Sequence, residues 1–182
     1  ADCRVIPNQN TLCVATYQGD LAPNFMALGA EVTLVGPEGE RTIALSEFYQ
    51  LDGMKKNVLQ QGEFMLKVTL PEDSFDYMGS YQKLRVRESW DFPEAGVSAV
   101  WKKGDYSTLK IASTALESIP KNHTEQVSNF ISSWEKGSSL TKLCDAIRKS
   151  VKPVNNTALP PNYRRSVVRI LTKRALKNIG CE

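Results

Sequence analysis

Histidine is nearly absent from this chain of 182 residues, since His123 stands alone. A Ser–His–Asp or Cys–His arrangement would have to be built around it, and the stretch Lys121-Asn-His-Thr124 invites none. That stretch reads as a loop carrying a plain surface histidine. Cysteine is also scarce. Cys3, Cys13, Cys144 and Cys181 show no CxxC or CxH spacing, so the sequence supports neither zinc nor iron–sulfur ligation. Such usage suits reduced thiols in a cytoplasm better than a disulfide framework. The eleven glycines are scattered singly, which leaves no glycine-rich phosphate loop. No apolar run approaches the roughly 18 residues needed to span a bilayer. Nor does a basic-then-apolar opening read as a secretory signal.

What is present is a core-forming composition. Hydrophobic residues make up 41% and charged ones 24%, enough for a packed structure and against disorder. The net charge of +3 is unevenly placed. Residues 148–182 hold nine Lys or Arg against Glu182 alone, whereas the first 147 residues are net acidic. A basic C-terminal helix suits nucleic acid, a solvated face, or a docking surface for an acidic partner subunit.

Along the chain, Gly19 to Gly29 reads as a short helix, with Asp20 as N-cap and Gly29 closing the end. Glu31–Val35 and Arg41–Leu45 flank Gly36-Pro-Glu-Gly39 and predict a hairpin. Ser46–Tyr49 predicts one helical turn. Glu63–Leu70 predicts a strand stopped by Pro71. A composition break at Pro71–Asp76 suggests a boundary between units 1–75 and 76–182. The second unit carries three strand-like runs, Ser80–Glu88, Ala95–Trp101 and Tyr106–Ser113, the last two turned by Lys103-Gly-Asp105. Helical patterns follow at Thr124–Glu135, Leu140–Val151 and Asn162–Asn178. The last places Tyr163, Val167, Ile170, Leu171 and Leu176 on one face. Strands followed by helices predict an α+β fold, a three-stranded antiparallel sheet packed with a three-helix bundle. The first unit, with one helix and a few strands, is thin for a core of its own.

The most unusual stretch is Tyr81-Gln-Lys-Leu-Arg-Val-Arg-Glu-Ser-Trp-Asp-Phe92. Strand alternation puts Tyr81, Lys83, Arg85 and Arg87 on one face. Cations beside Trp90 and Phe92 suit a flat anionic ligand such as a flavin or nucleotide, where a lysine steadies developing negative charge and an aromatic packs on the ring. The same pattern also describes an exposed basic strand with core aromatics behind it. Asp20 is equally two-sided: a helix cap, or an acceptor for a ribityl or ribose hydroxyl.

Several segments, taken in order, carry a family resemblance. They are Gly19-Asp-Leu-Ala-Pro23 with Met26-Ala-Leu-Gly-Ala30, Gly36-Pro-Glu-Gly-Glu-Arg-Thr-Ile43, Phe48-Tyr49, Asp52-Gly-Met54, Glu63-Phe-Met-Leu66, Leu70-Pro71, Tyr81 to Pro93, and the Tyr163–Leu176 helix. This order resembles the FAD-binding (medium) subunit of the molybdenum hydroxylases, the family of the carbon monoxide dehydrogenase flavoprotein, 4-hydroxybenzoyl-CoA reductase and the xanthine dehydrogenase flavin domain. The resemblance implies that residues 1–75 are the second subdomain of an α/β FAD-binding domain, incomplete because the first subdomain is missing. Residues 76–182 then correspond to the family's C-terminal domain. It implies FAD contacts for Asp20, with Thr16 and Gly19 beside the cofactor. Met65 falls at the isoalloxazine edge, Lys83 near the ring, and Trp90 or Phe92 as aromatic neighbour. No catalytic residue and no metal ligand is implied in this chain. The family's glycine after the third C-terminal strand is replaced here within Ile111-Ala-Ser-Thr-Ala115.

The role implied is a cytoplasmic electron-transferring subunit, inactive alone. It would pass electrons between iron–sulfur clusters and an external acceptor through FAD. Its partners would be the missing N-terminal FAD subdomain, a [2Fe–2S] subunit and a molybdopterin subunit, with no membrane. Two other readings compete: an interaction scaffold whose flavin site is lost, and, more weakly, nucleic-acid binding through residues 148–182.

Overall fold

The computed structural model describes residues 3, 6–133 and 139–181. Helix α1 (Leu21–Leu28) closes as its glycine predicts: Gly29 sits at φ +80, and its N–H and that of Ala30 return to the carbonyls of Met26 and Phe25. Asp20 supplies no side-chain cap; its carbonyl accepts a bond from Asn24 Nδ2 at 2.7 Å, and its carboxylate points elsewhere. Strands β1 (Glu31–Gly36) and β2 (Gly39–Ala44) form the expected hairpin, and α2 (Leu45–Phe48) is the expected single turn. Strand β3 (Phe64–Thr69) pairs along the other side of β1 to give the antiparallel order β2-β1-β3. Only β1 is buried; every residue of β3 is exposed, including Phe64, Leu66 and Val68.

The second sheet is antiparallel with the order β4-β5-β6-β7, comprising β4 (Met78–Leu84), β5 (Ala95–Lys102), β6 (Asp105–Thr114) and β7 (Lys121–Asn122). It has four strands rather than three. The extra one is two polar residues long, paired with Ala112 and Ser113, and too short to leave a periodic trace. Strand β4 stops at Leu84, so Arg85 and Arg87 fall outside it. One face of this sheet presents Val97, Ala99, Trp101, Leu109 and Ile111 to helices α3 (Thr124–Ser133), α4 (Leu140–Ser150) and α5 (Pro161–Asn178). The other presents Val100 and Ala112 to α1 and to Val32 and Leu34 of β1. Because β5 is covered on both faces, its first seven residues are all buried. The end of the first predicted helix of this bundle, at Glu135, lies outside the described residues.

Two further expectations are overturned. Helix α5 buries Arg164, Val168, Leu171, Thr172, Ala175 and Leu176, while Tyr163 and Ile170 are about half exposed. The helix is rotated from the predicted stripe because Arg164 takes an inward position. Its guanidinium donates to the carbonyls of Glu94 (2.8 Å), Val154 (2.9 Å) and Ala115. His123 is not a surface residue but fully buried. Its ring bridges Ser113 Oγ (2.9 Å) and Ser150 Oγ (3.1 Å), tying the sheet to α4. Its backbone carbonyl starts α3 by accepting the Val127 N–H. Burial, with Lys121 nearby, pushes its pKa down to about 3.

Among the described residues no helix is long and apolar enough to cross a membrane.

Candidate functional site

The Asp20 carboxylate meets strand β4. Tyr81 donates its hydroxyl to Oδ1 at 2.7 Å, and Lys83 Nζ lies 2.8 Å from Oδ2. Residues 81 and 83 reach the same target because they sit two apart on one strand face. Lys83 pairs with Gly96 of β5, and Gly96 pairs with Thr114 of β6, making one row across the sheet. Thr114 donates its hydroxyl to the Gly19 carbonyl at 2.9 Å. The row therefore grips the Gly19-Asp20 corner from both ends, and its middle must be bare. A Cβ on Gly96 would lie 2.7 Å from Thr114 Cγ2 and against the Tyr81 ring, so only glycine fits.

Burial first, then the bond to Asp20, raises the Tyr81 phenol well above its usual value, which keeps it a donor. The pair it joins is not sealed: the side chains of Asp20 and Lys83 keep 41% and 22% of their exposure.

The preceding residues are stitched to the far half of the chain. Tyr17 exchanges backbone bonds with Ala115 and Glu117, at 3.0 Å each. Its ring meets Tyr49 edge-on, with centroids 5.1 Å apart. Thr16 donates to Asn156 Oδ1 at 2.6 Å. Ala115 has φ +63, a left-handed backbone that favours glycine, at the place where the resemblance expected one.

Of the residues singled out in the sequence, Asp20 and Lys83 touch directly, and Gly19 joins them through Thr114. Thr16 is held by Asn156 in the loop after α4. Met65 lies on the other sheet, opposite Leu34, and is 36% exposed. Trp90 and Phe92 are 93% and 68% exposed, so neither is a core aromatic behind a strand. Phe92 lines an open cavity of about 350 Å³ with Gln18 and Arg87. Arg87 does not face the site; it bridges Asp91 at 2.9 Å, which holds that carboxyl well below its usual range. The sequence reading missed Thr114 and Gly96, and it left Tyr81 on the strand face without a role. The alternation through Tyr81 and Lys83 was the available signal; the cross-strand row had none, since register is not written locally.

The nine basic residues of the C-terminal segment do not form one patch. Arg164 is fully buried, Arg169 bridges Asp145 at 2.7 Å, and Arg148 lies 3.7 Å from the same carboxylate.

Residues 11–73 match the family described as the FAD binding domain in molybdopterin dehydrogenase. The resemblance to the FAD-binding subunits of the molybdenum hydroxylases thus holds. Over 160 residues the chain is 24% identical to the carbon monoxide dehydrogenase medium chain of Afipia carboxidovorans, covering 87% of this chain and 54% of that one. Over 95 residues it is 35% identical to the aldehyde oxidoreductase FAD-binding subunit of Escherichia coli, covering 48% of this chain and 29% of that one. Its fold is similar to a chain of carbon monoxide dehydrogenase from Hydrogenophaga pseudoflava, with a TM-score of 0.75 and 22% identity over 89% of this chain and 56% of that one. The chain spans about half the length of the first of these relatives.

Proposed function

We propose that this chain forms one part of an FAD cleft in an electron-transferring subunit of a molybdenum-hydroxylase-type oxidoreductase. In this reading residues 1–75 and 76–182 are two units, and the cleft runs where Asp20 meets β4. One observation carries the proposal: the carboxylate of Asp20 and the ammonium of Lys83, 63 residues apart, converge at 2.8 Å and stay open to solvent.

The residues present fit two parts of the cofactor. A carboxylate offers about four acceptor sites and an ammonium three donors, and each uses only some of these here. Asp20 therefore has capacity for ribityl hydroxyls, and Lys83 for the electron-rich edge of the ring. Tyr81 fixes the carboxylate, and Gly19, held by Thr114, brings backbone to the same corner. Met65 and the exposed Trp90 and Phe92 supply apolar surface for the ring. FAD, when bound, supplies reversible uptake and release of one or two electrons. Nothing among the described residues suits the diphosphate, whose charge calls for a glycine-rich loop at a helix N-terminus. That part of the site, the [2Fe–2S] clusters and the molybdopterin belong, in this reading, to partner polypeptides.

An FAD titration followed by flavin absorbance and fluorescence tests the proposal. The chain is measured alone and with a polypeptide carrying the family's glycine-rich phosphate loops. Uptake should be weak or nil alone and stoichiometric in the mixture. A complex that forms yet stays colourless under excess FAD overturns the reading.

A further inference from the structure

The flavin reading leaves the gap between α4 and α5 unused. A cavity of about 530 Å³ lies there, within the range of small-molecule sites. Its floor is apolar. Cys144, Leu176 and Cys181 close its bottom, at most 2% exposed and part of the main core, while Leu140 and the half-exposed Ile170 supply accessible apolar walls. Burial pushes both thiols up to about 11, so the floor is uncharged at neutral pH.

The rim is cationic. Arg169, Lys173 and Lys177 follow at intervals of four along α5 and so stack on one stripe beside the opening. Asp145 neutralises Arg169. Among the ion pairs of the described residues, Lys173 and Lys177 have no acidic partner. Like charges four apart on a helix repel, and an anion between them removes that cost.

We propose that this cavity binds one amphiphilic carboxylate, its apolar chain against Leu140 and Ile170 above the buried thiols and its headgroup between Lys173 and Lys177. Floor and rim together select this class. A short anion gains nothing from the apolar walls at Leu140 and Ile170, and an apolar cation meets two ammonium groups of its own sign.

Decanoate is the probe, with acetate and decyltrimethylammonium as controls. Calorimetry on the purified chain should show saturable one-to-one binding of decanoate only. In a Cys3→Ser/Cys13→Ser background, decanoate should slow the reaction of Cys144 and Cys181 with a thiol reagent. The Lys173→Gln/Lys177→Gln variant changes two exposed side chains, so its melting temperature should hold while decanoate affinity falls at least tenfold. Absence of saturable binding, equal binding of the cationic amphiphile, equal binding of acetate, or unchanged affinity in the double variant each overturns the proposal. An acidic protein or nucleic acid would engage the rim alone and leave thiol reactivity as it was, the same negative result.

Discussion

Two carboxylate–cation pairs join distant parts of this chain, and they are built to opposite specifications. Glu94 and Arg164 lie inside the fold, 6% and 0% exposed. The guanidinium gives its N–H groups to three carbonyls, with Glu94 Oε2 at 3.8 Å. The Glu94 carboxylate accepts from Thr157 Oγ1 (2.7 Å) and from the backbone of Leu159 (3.0 Å) and Ala158 (3.3 Å). Its capacity is used up on the protein, as a buried charge requires. Asp20 and Lys83 share a shorter contact but keep solvent access and unused bonding sites. The first pair holds strands, loop and helix in place. The second is a surface feature held in a fixed position, which is what a ligand site needs and a stability device does not.

The contrast is sharpest at Arg164. Arg164→Ala should cost about 3–5 kcal/mol, because it strands Glu94 and three carbonyls in the interior. Urea unfolding measures it, and a loss under about 1 kcal/mol would remove the distinction between the pairs.

His123 belongs with the buried group and extends the contrast to pH. Its folded pKa of about 3 lies below its ordinary 6.5, so the folded state binds fewer protons between those values. Stability is therefore full above about pH 6.5 and declines as pH falls through that window, by up to about 1.4 kcal/mol per pH unit. The range from pH 6.5 to about 4.5 lies above the ordinary carboxylate values, where His123 dominates. His123→Gln should flatten the dependence there, and denaturant melts at several pH values read the slope.

Lys83→Met tests the exposed pair. Its effect on stability should stay below about 1 kcal/mol, as for other solvent-accessible ion pairs. FAD affinity of the reconstituted complex should fall at least tenfold. A large stability loss with flavin affinity intact would reverse the roles assigned to the two pairs.

The smallest effect is expected at Ala115. A buried Ala→Gly change ordinarily costs about 0.5–1 kcal/mol or more, but relief of the left-handed backbone should bring Ala115→Gly within about 0.5 kcal/mol of the parent. Ala115→Val should cost several times that, and thermal melts of the two variants decide it.

Much of the fold was legible because local chemistry agreed with it. Gly29, the Gly36–Gly39 turn and the extents of α4 and α5 each matched the structure, although the buried stripe of α5 did not. The misreadings of His123 and Arg164 share one cause: a polar residue buried by partners the local sequence does not show. His123 and Arg164 look like surface residues until Ser113, Ser150 and the carbonyls around Glu94 are brought to them. At the candidate site, Asp20 and Lys83 were readable through family resemblance and strand alternation. Gly96 and Thr114 act only through register, which no local pattern records.

The bonds from Thr16 to Asn156 and from Tyr17 to Ala115 also set an order of events in synthesis. Thr16 and Asn156 are 140 residues apart, so a ribosome working at roughly 5–20 residues per second separates them by about 7–28 s. Throughout that interval α1 and the β1–β2 hairpin lack the sheet against which they pack, and the exposed strand β3 is made long before Thr114 can fasten the Gly19 corner. The Gly19–Asp20 corner is thus fully tied down only once Asn156 has been made, 140 residues after Thr16.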